Sequence, residues 1–249
     1  MKHTLNKEEV LNDLLGYDGL KIIQRPDMFS FSLDSTLLAD FVTINQKVQN
    51  LLDFGTGFAP IPLFLSLKTS APITAIEIQE EVADIARRNV LINNLSNQIK
   101  VYKMDIKDTP KHFKPTSFDV ITCNPPFFKY KDTSNVNESM YKTIARHEVL
   151  IDLETIIKTA KILLNNKGHL YMVHRSERLS EIITLLEKHK FALKRLRFVY
   201  PKANQEAFMV LIDATNNGQS GVKIEPPLIV HSIEGYTDEI KKIFNYGKE

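Results

Sequence analysis

Short apolar runs rich in β-branched residues alternate with longer stretches of helical spacing, and this alternation constrains the fold more than any other feature of the chain. The runs read as strands at Leu51–Phe54, Ile73–Ile78, Ile99–Met104, Phe118–Cys123, His169–His174, Leu193–Tyr200 and Ala207–Asp213. Helices are expected at Pro60–Leu67, Glu80–Asn93, Leu153–Leu164 and Glu177–Lys188. The second of these gathers Val82, Ile85, Ala86, Val90 and Ile92 near one face. Strands separated by helices need crossovers, and crossovers join parallel strands. The connector Pro201–Glu206 is short and non-helical, so the last two strands should pair antiparallel at the sheet end. The expected architecture is α/β: a seven-stranded, mostly parallel sheet with helices on both faces and the last strand antiparallel.

Ahead of the sheet, Leu20–Gln24 has strand character, and Ser35–Phe41 begins a helix that Asp34 or Ser35 can cap. Behind it come a polar loop, Asn216–Gly221, then Pro226–Val230, then a helix near Thr237–Phe244. No repeat or linker divides the chain, so residues 1–249 are expected to form one domain, with 1–42 an N-terminal segment and 43–249 the core. A hydrophobic fraction of 43% and a charged fraction of 25% suffice for a packed interior. The single cysteine, Cys123, lies in an apolar strand and reads as core; it excludes a disulfide framework and a cysteine metal site. No His/Asp/Glu grouping has metal-ligand spacing, so no metal is expected. The first ten residues lack the apolar core of a secretory signal, and no apolar run approaches a bilayer span. The chain therefore reads as cytoplasmic, without a membrane partner; no stripe announces a subunit interface.

Chemistry enters with Leu51-Leu52-Asp53-Phe54-Gly55-Thr56-Gly57-Phe58-Ala59-Pro60, a strand running into a glycine turn that opens a helix. Glycine permits positive φ and close approach of a ligand, and the N–H groups of a new helix can face a polar or anionic group. A purely structural turn is the alternative. A dinucleotide fingerprint would need glycine at the sixth position, where Pro60 stands. Glu77 ends the next strand, 20 residues after Gly57, where an acid can accept hydrogen bonds from ribose hydroxyls; an exposed strand-end glutamate is the plainer reading. Asp105 follows the third strand and either contacts an adenine amine or caps a turn. All three fall at one edge of a parallel sheet, the edge at which such folds bind ligands.

The most specific motif is Asn124-Pro125-Pro126-Phe127, directly after a strand. The prolines hold the backbone extended and end the strand. The peptide oxygen of Pro125 and the amide oxygen of Asn124 can then aim at one –NH₂ group, accepting both its protons and favouring a pyramidal nitrogen whose lone pair can attack. Phe127 offers a face on which an extruded base can stack. A proline-terminated strand with a buried phenylalanine would leave Asn124 unexplained.

Together the glycine turn, Glu77, Asp105 and Asn124-Pro125-Pro126-Phe127 resemble the Rossmann-like class I methyltransferases acting on amines. More narrowly, the chain is similar to the bacterial tRNA1(Val) (adenine-37 N6)-methyltransferases. The likeness includes Phe29-Ser30-Phe31-Ser32-Leu33-Asp34-Ser35-Thr36-Leu37-Leu38-Ala39, Ala145-Arg146-His147-Glu148, Tyr200-Pro201-Lys202-Ala203 and Pro226-Pro227-Leu228-Ile229-Val230-His231, and runs from about Leu20 onward. The resemblance implies S-adenosylmethionine as cofactor and RNA, a tRNA, as partner. It implies that Asp53 contributes to the cofactor site, that Gly55 and Gly57 pass beneath the methionine part, and that Glu77 holds the ribose and Asp105 the adenine amine. The N-terminal segment would close over the cofactor, with Asp34 or Ser35 near its charged end. Asn124 and Pro125 would orient the target amine, with Pro126 and Phe127 completing the catalytic motif and Phe127 stacking on the target base. Ala59 departs from the family, standing where a third glycine is common; a negative φ there would leave binding intact, whereas a required positive φ would weaken it.

Other polar residues have two readings each. Lys129 and Lys131 either hold RNA phosphates or are solvated loop lysines; Arg146, His147 and Glu148 either cap and pair or line the substrate mouth. The run Lys188, His189, Lys190, Lys194, Arg195 and Arg197 is the densest basic stretch and the best RNA footprint in a chain whose net charge is only +2. His174 reads as structural. Three other functions stay open: guanine-amine methylation of ribosomal RNA, glutamine methylation of release factors, whose motif ends in tyrosine, and a non-catalytic relative. Phe127 favours the nucleic-acid branch.

Overall fold

Leu51–Phe54 forms the strand around which the chain changes direction in the computed structural model, which describes residues 5–6, 8–15, 19–28, 33–125 and 151–245. In chain order the elements are β1 (Val10–Asp13), β2 (Lys21–Gln24), α1 (Leu33–Phe41), β3 (Leu51–Phe54), α2 (Pro60–Leu65), β4 (Ile73–Glu77), α3 (Glu80–Ile92) and β5 (Ile99–Lys103). There follow α4 (Thr109–His112), β6 (Phe118–Cys123), α5 (Leu153–Leu163), β7 (Leu164–Arg175), α6 (Leu179–Lys188), β8 (Phe191–Tyr200) and β9 (Met209–Asn216). Short strands β10 (Lys223–Ile224), β11 (Leu228–Ile229), β12 (His231–Ser232) and β13 (Gly235–Tyr236) precede α7 (Asp238–Asn245).

From β3 the sheet grows one way through β4 and β5, then resumes on the other side of β3 with β6 and β7, all parallel. Such a reversal opens a crevice at the carboxyl ends of the two strands that flank it. β9 inserts antiparallel between β7 and β8, so the last long strand is the antiparallel one, as expected, but it is not at the edge. The seven expected strands are present, and β10 and β11 add short parallel pairings along β8 to make nine among the described residues. Two residues are too few to show an alternation in sequence. β7 also begins at Leu164, earlier than His169, because Leu164 already pairs with Phe118 across a register shift.

Period-two alternation divides the interior. Leu51, Ile73, Val120 and Tyr171 face a core shared with α1, α2, α3 and α7, whereas Leu52, Ile76, Ile121 and Met172 face one shared with α5 and α6. Helices thus cover both faces of this Rossmann-like sheet. Among the described residues no helix is long and apolar enough to cross a membrane.

The first hairpin, β1 with β2, docks on α3 through a device absent from hydrophobic patterning. Ile23 N donates to Asn89 Oδ1 at 2.6 Å, and Asn89 Nδ2 donates to Ile23 O at 3.0 Å and Phe58 O at 2.9 Å. One turn on, Lys21 N donates to Asn93 Oδ1 at 2.8 Å, and Asn93 Nδ2 donates to Lys21 O at 2.7 Å. Alternate β2 residues meet amides four apart on a helix, so α3 satisfies a strand edge that no other strand among the described residues covers. Arg88 adds a pair to Glu9, with NH1 2.7 Å from Oε2, and this contact holds the Glu9 carboxyl down to about 2.

Asn89 is fully buried, and its loss strips partners from Ile23 N, Ile23 O and Phe58 O. Asn89→Ala is therefore expected to destabilise the protein by about 2–4 kcal/mol in urea unfolding. A loss under about 0.5 kcal/mol would show that the hairpin docks by apolar contact alone.

Candidate active site

At the end of β3 the backbone turns through three left-handed residues in alternate positions: Gly55 at φ +62, Gly57 at +57 and Ala59 at +66. Thr56 N donates to Ile76 O at 2.8 Å, tying the turn to β4, and Ala59 N donates to Thr56 O at 2.9 Å. Gly55 is exposed, and a Cβ built on it would meet nothing within 4 Å, so its outer side is open to a ligand. Ala59 therefore does occupy a positive-φ position. That costs about 1–2 kcal/mol of backbone strain, offset in part by burial of its methyl at ~0.8 kcal/mol.

The helix start after this turn is a poor anion site. Pro60 and Pro62 fall in its first turn and have no N–H to offer. What surrounds the turn is negative. Gly57 N donates to Glu77 Oε2 and Gln79 N to Glu77 Oε1, each at 3.0 Å. Burial raises the Glu77 carboxyl above its usual range, and those N–H groups pull it back. Asp53, fully buried in β3, accepts from Thr122 Oγ1 at 2.6 Å on one oxygen, and the Thr56 hydroxyl is its second polar neighbour. Burial pushes its carboxyl up to about 7; the Thr122 and Thr56 hydroxyls oppose this, and the nearby Glu77 charge adds to it. Neither Asp53 nor Glu77 has an ion-pair partner among the described residues.

Asn124 is the first residue after β6, beside the same crevice. Its Nδ2 donates to Ser35 Oγ at 3.1 Å, and the amide is also hydrogen-bonded to Asp34. Helix α1 begins at Leu33, so Asp34 and Ser35 lie inside its first turn rather than capping ahead of it. Asp34 is 7% exposed, and its carboxyl is raised by burial against the lowering effect of Asn124. Pro125 is buried. Asp105, two residues past β5, caps the turn Ile106–Asp108 by accepting from Lys107 N at 2.9 Å. Capping is thus one of its roles. Pro126, Phe127, Lys129, Lys131, Arg146, His147 and Glu148 lie outside the described residues. Among the described residues, no group of three or more His, Cys, Asp or Glu is placed to hold a metal.

The basic run is not brought to this mouth. Asp53, Thr122, Tyr171, Asp213 and Arg195 share one rung across β3, β6, β7, β9 and β8. Four strand spacings put the backbone of Arg195 roughly 19 Å from that of Asp53. Arg195 donates to Asp213 Oδ2 and Glu225 Oε1, both at 3.0 Å, and to Phe41 O at 2.7 Å, with its guanidinium 4.2 Å from the Phe41 ring centroid. Arg197 donates to Pro226 O and to Glu239 Oε1. Lys188 and His189 meet Glu154, and Lys194 meets Gln219 O. These side chains hold elements of the fold to one another, and the stretch before β8 lies at the sheet edge opposite the glycine turn. Sequence reasoning missed Thr122, whose only signal is a hydroxyl in an otherwise apolar strand end. His174 is buried, its ring held down to about 4 chiefly by burial, and Cys123 is core.

The family model for the methyltransferase small domain matches residues 19–211. A tRNA1(Val) (adenine(37)-N6)-methyltransferase of Porphyromonas gingivalis is 30% identical over 194 residues, covering 76% of this chain and 74% of the relative. One from Aliivibrio salmonicida is 26% identical over 210 residues, covering 84% and 86%. Among solved structures, a predicted O-methyltransferase of Agrobacterium tumefaciens aligns with a TM-score of 0.69 at 21% identity, over 86% of this chain and 96% of that one. That last likeness is one of fold.

Asp53 makes the site visible in stability. Its folded carboxyl keeps a proton up to about 7, against 3.8 as the ordinary value, so its contribution is full below 3.8 and is lost as pH rises through 7. Unfolding free energy of the wild type minus that of Asp53→Asn should fall by a few kcal/mol between pH 4 and pH 7.5. Parallel curves for the two proteins would contradict the assignment.

Proposed function

The chain belongs to the methyltransferase small domain family and, within it, to the tRNA1(Val) (adenine(37)-N6)-methyltransferases, and from that membership we propose that it methylates the N6 amine of adenine 37 in that tRNA. The observation that carries the reading is the position of Asn124, at a carboxyl strand end beside the glycine turn and the buried carboxylates Asp53 and Glu77. S-adenosylmethionine, when bound, supplies an electrophilic methyl on a sulfonium whose S–C bond breaks as the new N–C bond forms.

The residues present suit that cofactor. Asp53 and Glu77, which meet no cation among the described residues, give the crevice an acidic character that favours a ligand bearing sulfonium and ammonium charges. Glu77 stands at the carboxyl end of β4 with its oxygens held by Gly57 N and Gln79 N, an oriented acceptor to which a ribose diol can donate. Asp105 likewise retains an oxygen beyond its cap for an adenine amine. Gly55 leaves the approach open.

On the substrate side, Asn124 Oδ1 and Pro125 O accept the two protons of the target amine. This holds its nitrogen in line and draws the lone pair out of the ring. No general base is assigned; the methylated nitrogen is acidic and loses its proton to water. We assign Phe127 to stacking on the extruded base, and Lys129 and Arg146 to the RNA strand entering the site.

Incubation with labelled S-adenosylmethionine and tRNA lacking the modification should place label in N6-methyladenosine. Asn124→Ala should slow transfer by about 10²–10³-fold with cofactor affinity retained. Glu77→Ala should instead weaken cofactor binding by about 10–100-fold, as expected for lost hydrogen bonds to a charged group. Label in guanosine or in protein would contradict the substrate, and full activity in Asn124→Ala would contradict the site.

A further inference from the structure

The hydrogen bonds of Asn124 give α1 a task beyond covering the crevice. An amide has two faces of opposite character, and rotation by half a turn about its last bond exchanges acceptor for donor. Only one of the two orientations presents Oδ1 to a substrate amine. The side chain has no packing reason to prefer either.

The donor end meets two groups in the first turn of α1. Nδ2 lies 3.1 Å from Ser35 Oγ, and the amide's hydrogen bond to Asp34 lowers that carboxyl's proton affinity, as donation from the –NH₂ does. Oδ1 accepts no hydrogen bond from any described residue. We propose that Asp34 and Ser35 are positioning residues: they hold the –NH₂ of Asn124 and so keep Oδ1 as the acceptor offered to the target base. This inference rests on reading Asn124 as the acceptor of the target amine. It moves Asp34 and Ser35 from the cofactor to the catalytic amide.

The clamp needs α1 to stay in place, and the far end of the helix is tied down. Lys68 Nζ donates to Ala39 O at 2.7 Å, Asp40 O at 2.6 Å and Val42 O at 3.1 Å, while Arg195 donates to Phe41 O. Carbonyls at a helix end that lack intrahelical partners are thus met by two cations from α2's exit and from β8. Both Asp34 and Ser35 are buried, at 7% and 6% exposure, so water does not compete strongly for the amide.

The test is single-turnover methyl transfer to unmodified tRNA at saturating S-adenosylmethionine, alongside the cofactor's Kd. Ser35→Ala should slow transfer by about tenfold with Kd changed by less than about twofold, and Ser35→Thr, which keeps the hydroxyl, should recover most of the rate. In an Asn124→Ala background, Ser35→Ala should have no further effect, because the amide it positions is gone. The Asn124 side-chain N–H signals, assigned by their loss in Asn124→Ala, should shift in Ser35→Ala. A weakened Kd at unchanged rate, or effects of the two substitutions that multiply, would overturn the clamp while leaving the role of Asn124 intact. Wild-type rate in Asn124→Ala would overturn the reading of the motif and the clamp with it.

Discussion

Two buried carboxylates that no cation among the described residues neutralises set the terms for the rest of the site. Asp53, one residue from the end of β3, and Glu77, the last of β4, stand on neighbouring parallel strands, and the crevice beside them exists because the sheet reverses direction at β3. Burying a charge without a cation is unfavourable, which is why the Asp53 carboxyl is pushed up to about 7 and that of Glu77 is also raised. The hydrogen bonds these groups do receive, from Thr122 and Thr56 and from Gly57, Ile78 and Gln79, fix their orientation and supply no cation. A protein that tolerates such an arrangement has a site prepared for a positive ligand.

Around that crevice the remaining parts act as supports. The glycine turn supplies open backbone, with Ala59 in the same left-handed conformation as the two glycines. Helix α1 connects the crevice to the outer sheet: its first turn meets Asn124, and its last turn meets Lys68 and Arg195. The rung from Asp53 to Arg195 then runs through Thr122, Tyr171 and Asp213 across five strands. Arg195 thereby serves the placement of α1 through its bonds to Asp213, Glu225 and Phe41 O.

Much of this was legible in the residues. The strands β3, β4, β5 and β6 announce themselves as apolar runs, and parallel crossovers force their carboxyl ends to one edge. Glu77 and Asn124 could be placed there because each stands at the end of such a run. Position in a strand says nothing about partners, however. The basic run could not reveal that Asp213, Glu225, Glu239 and Glu154 await it in space. Asn89 and Asn93 carried a spacing of four, yet a polar helix face is ordinarily solvated, so their role in suturing β2 appears only with the hairpin in place. The insertion of β9 between β7 and β8 was equally hidden, because an antiparallel pair reads the same on either side.

Calorimetric titration of S-adenosylmethionine at pH 6.5, in buffers of differing ionisation enthalpy, tests the central claim most directly, since it counts protons exchanged on binding. A positive ligand beside carboxylates whose affinity for protons has been raised by burial must lower that affinity again. The account predicts net proton release on binding, a sizeable fraction of one proton per site, shrinking as the pH is raised above 7. No net exchange at pH 6.5, or net uptake, would mean that the cofactor's charge does not meet Asp53 and Glu77, and the crevice would need another explanation.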